Sequence, residues 1–153
     1  MKILVLSDIH GRSDTAQKII ALNDDAKHII FLGDGLNTLT QIETFFPERS
    51  FYSVAGNCDF ITATDENLLS FGGKKIFFTH GHKYYVKQNR DLSALKQRAK
   101  LLGADIALYG HTHVAHKEKD AHLYLMNPGA VVQSAYGIID INDGEITLDL
   151  MKI

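Results

Sequence analysis

Residues 104–116 read ADIALYGHTHVAH. An apolar run from Asp105 to Gly110 ends on a glycine and leads at once into His111, Thr112 and His113. Such a run suits a strand covered on both faces, as in a parallel sheet. Two histidines directly at its tip need a separate reason.

Four other stretches repeat the arrangement. "KILVLS" (2–7) precedes Asp8-Ile9-His10, "HIIFLG" (28–33) precedes Asp34, "FYSVAG" (51–56) precedes Asn57-Cys58-Asp59, and "KKIFFT" (74–79) precedes His80-Gly81-His82. Helical spacing appears in DTAQKIIALNDD (14–25), LTQIETFF (39–46) and DLSALKQRAKLLG (91–103). In the last, Leu92, Leu95, Ala99 and Leu102 share a face, Asp91 sits near the start and Gly103 suits the end. Alternation of strand and helix predicts a mixed α/β fold with parallel pairing. Two hairpins are expected in addition, one turning at Asn142-Asp143-Gly144 and one at Gly72-Gly73. The fold is therefore read as mixed, with a parallel half and an antiparallel half.

At 153 residues and 45% hydrophobic, the chain suits one globular domain over residues 1–153. A formal net charge of -2 provides no broad cationic surface, so stable nucleic-acid binding is not expected. The first apolar run is too short for a signal-peptide core, and no stretch approaches the roughly 18 apolar residues of a membrane helix. No membrane association is expected. The single cysteine, Cys58, accords with a reducing compartment, and the expected location is cytoplasmic. A symmetric homo-oligomer is the default assembly.

Ligands of open α/β sheets bind beyond the carboxyl ends of the strands, so the five tips are expected to converge. Gly33, Gly56 and Gly110 would turn the chain off the sheet and bring backbone close to the site. Taken singly, each residue has an ordinary explanation, since an aspartate after a strand caps a helix and a lone histidine is usually solvated. Capping does not require histidine, nor the same pattern five times. A shared metal site follows. Imidazole with carboxylate and no thiolate set favours manganese, iron, nickel, cobalt or zinc over calcium or a structural zinc. Seven ligands exceed the needs of one ion with an open position, so two ions sharing a carboxylate, roughly 3.5–4 Å apart, are expected.

The motifs "SDIHG", "GDG", "GNCD", "THGH" and "GHTH", in that order over residues 7–113, resemble the calcineurin-like metallophosphoesterases. The small size, "GNCD" and "NPG" at Asn127 to Gly129 resemble the compact bacterial and archaeal phosphodiesterase branch. The resemblance implies two packed mixed β-sheets flanked by helices, an α-β-β-α sandwich. It also implies that Asp8, His10 and His113 hold one ion, that Asn57, His80 and His111 hold the other, and that Asp34 bridges them. His80 is chosen over His82, which is placed behind the ligands. Mn2+ is the first expectation, with Ni2+, Co2+, Fe2+ or Zn2+ as alternatives, and the substrate is a small phosphoester.

Two divalent ions against two carboxylates and a hydroxide leave the site at about plus one, which attracts a phosphate ester and gives the neutral Asn57 a purpose. Coordinated water falls in pKa from 15.7 to about 7, so the implied reaction is attack of a metal-bridging hydroxide on a phosphodiester. The alternatives are a phosphomonoesterase on the same site, or a non-catalytic scaffold like a vesicle-coat subunit that shares the fold. In much of the family a histidine stands where this chain has Cys58. A thiol donates a proton to an alkoxide less readily than an imidazolium, so good leaving groups should be favoured. Asp59 is expected to orient a ligand histidine, and Arg12 is a candidate phosphate contact. Tyr84 and Tyr85 could stack on a base or pack against protein. Ligand histidines must be neutral, so activity should fall as pH drops through roughly 6.5.

Overall fold

The computed structural model describes all residues from Met1 to Ile153. Ten strands and three α-helices follow the chain as β1 (Lys2–Leu6), α1 (Ser13–Leu22), β2 (His28–Phe31), α2 (Leu36–Glu43), β3 (Ser50–Ser53), β4 (Glu66–Phe71), β5 (Lys74–Thr79), α3 (Ser93–Leu101), β6 (Ile106–Leu108), β7 (His116–Asp120), β8 (Leu123–Asn127), β9 (Ala135–Asn142) and β10 (Glu145–Lys152). They form two five-stranded sheets, ordered β10-β9-β1-β2-β3 and β4-β5-β6-β8-β7. β1, β2 and β3 are parallel, as are β5, β6 and β8, and antiparallel strands complete each sheet. Each sheet thus combines parallel and antiparallel pairing, as the mixed reading predicts.

Three apolar layers explain the stacking. Ile3, Val5, Ile30 and Ile139 of the first sheet meet Ile76, Phe78, Ile106 and Leu108 of the second. Because β-strand side chains alternate, Leu4, Leu6, Ile29 and Phe31 point the other way and are covered by Ile19 and Ile20 of α1 and Leu39 and Ile42 of α2. On the outer face of the second sheet, Phe77 and Ala107 pack against Leu95 and Ala99 of α3. Strands buried on both faces account for the continuous apolar runs in the sequence. Each fully buried Leu, Ile or Phe contributes about 1.5–3 kcal/mol.

Departures from expectation have local causes. Helix α2 begins at Leu36, three residues before the spacing suggested, because the Asp59 carboxylate accepts the Gly35 and Leu36 amides and starts the first turn. β7, HKEKD, shows no apolar period because it is a charged edge strand. The hairpins at Gly72-Gly73 and Asp143-Gly144 form as expected, and a third, β7–β8, turns at Ala121-His122. No helix is long and apolar enough to cross a membrane.

Candidate metal centre

The chain leaves β1, β2, β3, β5 and β6 at the same end of the sandwich, and there the seven expected ligands come together. Each carboxylate commits one oxygen to the protein and leaves one for the cluster. Asp8 Oδ2 accepts the Ser7 hydroxyl at 2.5 Å and the His111 amide at 3.2 Å. Asp8 Oδ1 is buried without a hydrogen bond, 3.0 Å from His113 Nε2 and 3.6 Å from His10 Nε2. Asp34 Oδ1 accepts the Cys58 amide at 2.8 Å, while its Oδ2 lies 3.8 Å from His10 Nε2 and 3.4 Å from His80 Nε2. Asp34 is therefore the carboxylate that reaches both groups of imidazoles.

His80 Nδ1 stands 2.7 Å from the Leu32 carbonyl. A carbonyl only accepts, so Nδ1 carries the proton and Nε2 turns its lone pair inward. That lone pair meets Asn57 Oδ1 at 3.0 Å and His111 Nδ1 at 3.2 Å. His10 Nε2 and His113 Nε2 are likewise 3.2 Å apart. The acceptor Asn57 Oδ1 facing the His80 lone pair calls for a cation between them, a proton or a metal ion, while between two imidazoles the N–H of one neutral ring or a metal ion can bridge. The orphaned Asp8 oxygen and this all-donor set fit divalent transition metals.

Burial works against a charged Asp34, but the His80 ring and the Cys58 amide outweigh it and hold the carboxyl well below the usual range. Burial also works against a charged His80, yet Asp34 and Asp8 overcome it and raise its pKa. Burial, reinforced by His80, pushes His111 down to about 4. Proton and metal therefore compete for the His80 lone pair, whereas His111 is neutral over the physiological range.

Five of the seven converging residues have left-handed backbone: Asp8 (φ 55), His10 (φ 43), Asp34 (φ 63), His111 (φ 64) and His113 (φ 61). The conformation costs of order 1–3 kcal/mol for a residue with a Cβ, and Asp and His tolerate it better than most. It bends each side chain off its strand toward one point. Of the three glycines, only Gly33 (φ +97) makes the expected left-handed turn. Gly56 and Gly110 serve close approach instead, since an added Cβ would lie 2.1 Å from Asp34 Oδ1 and 2.0 Å from Ser7 Oγ respectively.

The remaining candidates divide. Cys58 is exposed and its Sγ lies within 4.8 Å of donor atoms of His10 and Asp34. Burial and then Asp34 raise its pKa, so the thiol stays protonated. Asp59 does not orient a histidine. Its carboxylate accepts four backbone amides, those of Asp34, Gly35, Leu36 and Gly56, and so ties the loops after β2 and β3 together. His82 flanks the cluster, its ring 5.4 Å from that of His80 and its buried Nδ1 without a partner; burial lowers its pKa. Arg12 binds Asp14 and Thr15. Tyr84 packs edge-on against Phe77 and donates to Glu66, while Tyr85 is exposed.

Sequence reasoning missed three supports. Ser7 fixes Asp8, the Leu32 carbonyl fixes His80, and buried Asn127 donates to the Gly110 carbonyl and to Thr112 Oγ1, bracing the His111–His113 turn. Asn127 carried a signal in "NPG", whereas a backbone carbonyl carries none.

Residues 1–144 match the model of the calcineurin-like phosphoesterase superfamily domain. The chain belongs to the calcineurin-like phosphoesterase superfamily. It is 37% identical to a probable metallophosphoesterase, YsnB, of Bacillus subtilis over 86% of this chain and 75% of that one. It is 28% identical to the phosphodiesterase YfcE of Escherichia coli over 92% and 88%. Its fold superposes on a predicted phosphoesterase from Streptococcus pneumoniae with a TM-score of 0.84 at 25% identity, covering 99% of this chain and 88% of that one. Vps29 of Entamoeba histolytica, solved as a Zn2+ complex, shares the fold with a TM-score of 0.74 at 20% identity, covering 99% of each chain. The protein is thus a hydrolase of a metal-dependent phosphoesterase family, with the α-β-β-α sandwich of that family.

Proposed function

We propose that this calcineurin-like phosphoesterase hydrolyses phosphodiesters of small substrates with two divalent transition-metal ions, Mn2+ first among them. The observation that carries the reading is the gathering of ring nitrogens around Asp34 Oδ2, with imidazoles on both sides of one carboxylate oxygen. Asp8, His10 and His113 would hold one ion, Asn57, His80 and His111 the other, and Asp34 both. When bound, such ions supply Lewis acidity to phosphoryl oxygens and acidify a water into a nucleophile.

The chain's own residues do the rest. Asp8, Asp34 and His80 form a buried floor, while His10, Asn57 and Cys58 lie exposed at its mouth, so a substrate enters from one side. Asn57 contributes a neutral oxygen where an aspartate would cancel the positive surplus. Cys58 places a protonated thiol beside that mouth, and His82 lines it without joining the ligands. An open mouth leaves room for two ester arms, and the name of the E. coli relative favours the diester over the monoester. The likeness to Vps29 raises a scaffold role, but this chain keeps all seven donors.

Hydrolysis of bis(p-nitrophenyl) phosphate, measured after chelation and again with added Mn2+, tests the proposal. Wild type should regain activity with Mn2+, and Asp34→Asn should stay at background. Inert wild type indistinguishable from Asp34→Asn would favour the scaffold.

A further inference from the structure

Beside the metal centre runs an open concavity of about 440 Å³. Its apolar wall includes Val86 and Tyr109, and its polar edge includes Thr112, Lys87 and Arg90. Residues of the concavity adjoin those of the site at two places. Thr112 separates His111 from His113 in the chain, and Val86 and Tyr109 press on Gly81, between His80 and His82, where an added Cβ would meet Val86 at 3.0 Å.

Its charge is not spent on the protein. Arg12, Arg49 and Arg98 each pair with a carboxylate, whereas Arg90 has neither an ion pair nor a side-chain hydrogen bond. Lys87 is equally free. Two unpaired cations at the edge of an apolar wall, next to a site for one phosphate, match a ligand with a second anion on an apolar arm. The walls are braced, since Tyr109 and His116 bond to each other at 2.9 Å and Thr112 Oγ1 is held by Asn127.

We infer that Lys87 and Arg90 form a subsite for a second phosphate carried on one ester arm of the substrate, with Val86 and Tyr109 covering the apolar part of that arm. The inference rests on the phosphodiesterase reading for the site of the first phosphate. It narrows the substrate class to diesters bearing a further phosphate on an arm with an apolar portion.

Titration calorimetry of the Mn2+-loaded protein with thymidine 3′,5′-bisphosphate and with thymidine 5′-monophosphate tests it. The bisphosphate should bind about tenfold more tightly, in keeping with charge-assisted hydrogen bonds at an exposed site. In the Lys87→Ala/Arg90→Ala double variant the ratio of the two affinities should fall to about one, and Arg90→Lys should restore part of it. Equal affinities in wild type, or a ratio that survives the double substitution, would overturn the inference. Bis(p-nitrophenyl) phosphate hydrolysis on the same preparations separates the two readings. Active protein without the preference removes the subsite alone, and inert protein with the preference removes catalysis alone.

Discussion

The two ends of the sandwich both use left-handed backbone, and they use it differently. At the end away from the metal centre it serves two-residue turns, at Gly72-Gly73, Ala121-His122 and Asp143-Gly144, and three of the five residues concerned are glycines. At the other end glycines such as Gly33 and Gly81 share it with five donor residues, Asp8, His10, Asp34, His111 and His113. A turn that only reverses the chain can take the residue with the lowest conformational cost. A turn that must aim a donor atom keeps the donor and accepts the strain.

Substitutions at the two ends sharpen that contrast. The largest effect is expected where the chemistry sits. Cys58→His should speed hydrolysis of an alkyl ester by roughly 10²-fold, the lower range for a positioned general acid, and should speed a nitrophenyl ester far less. Turnover measured on both esters decides; equal acceleration would remove the thiol from leaving-group departure.

Acidity comes next. Because the pKa of His80 is raised, its proton competes with metal from above the ordinary histidine value of about 6.5 downward. Mn2+ affinity by calorimetry should fall about tenfold per pH unit in that range, one proton being displaced per ion. Without metal the sign reverses. Stabilisation from the protonated His80 is fully present below about pH 6.5 and is lost as pH rises through the raised value. Thermal melts in chelator should therefore weaken toward alkaline pH, and melts with Mn2+ should not.

Glycine replacements come third. Gly110→Ala forces a Cβ onto Ser7 Oγ and Asp8 Oδ2, and should cost about 1–3 kcal/mol in urea unfolding together with metal affinity. Gly144→Ala meets nothing within 4 Å and should cost about 1 kcal/mol from backbone strain alone, leaving metal affinity intact. The smallest changes are His113→Gly and Asp143→Gly. Both relieve a left-handed residue, so metal-free stability should stay within about 1 kcal/mol of the parent or rise. Only the first should lose Mn2+ affinity.

What the sequence made legible was the part written in side chains of the strands. Ile3 to Leu6 in KILVLS and Ile76 to Phe78 in KKIFFT are apolar without a break because both faces are covered, and an aspartate or histidine soon after each has no packing reason to be there. β7 was hidden because HKEKD lies at an edge and alternates nothing apolar. Asp59 was misread for a related reason: next to Asn57 and Cys58 an acid suggests chemistry, and nothing in its neighbours shows that four amides from two loops converge on it. Backbone donors and acceptors are the same at every position, so the contacts they choose are settled only by the tertiary fold.

One such contact reaches further than its size suggests. His80 directly follows strand β5 of the second sheet, yet the carbonyl that holds its ring is that of Leu32, directly after β2 of the first. The sheets cannot slide past each other without rotating that imidazole. The apolar filling between them therefore acts as a gauge block for the cation cage, and trimming a methyl group there would register as a changed preference for ion size.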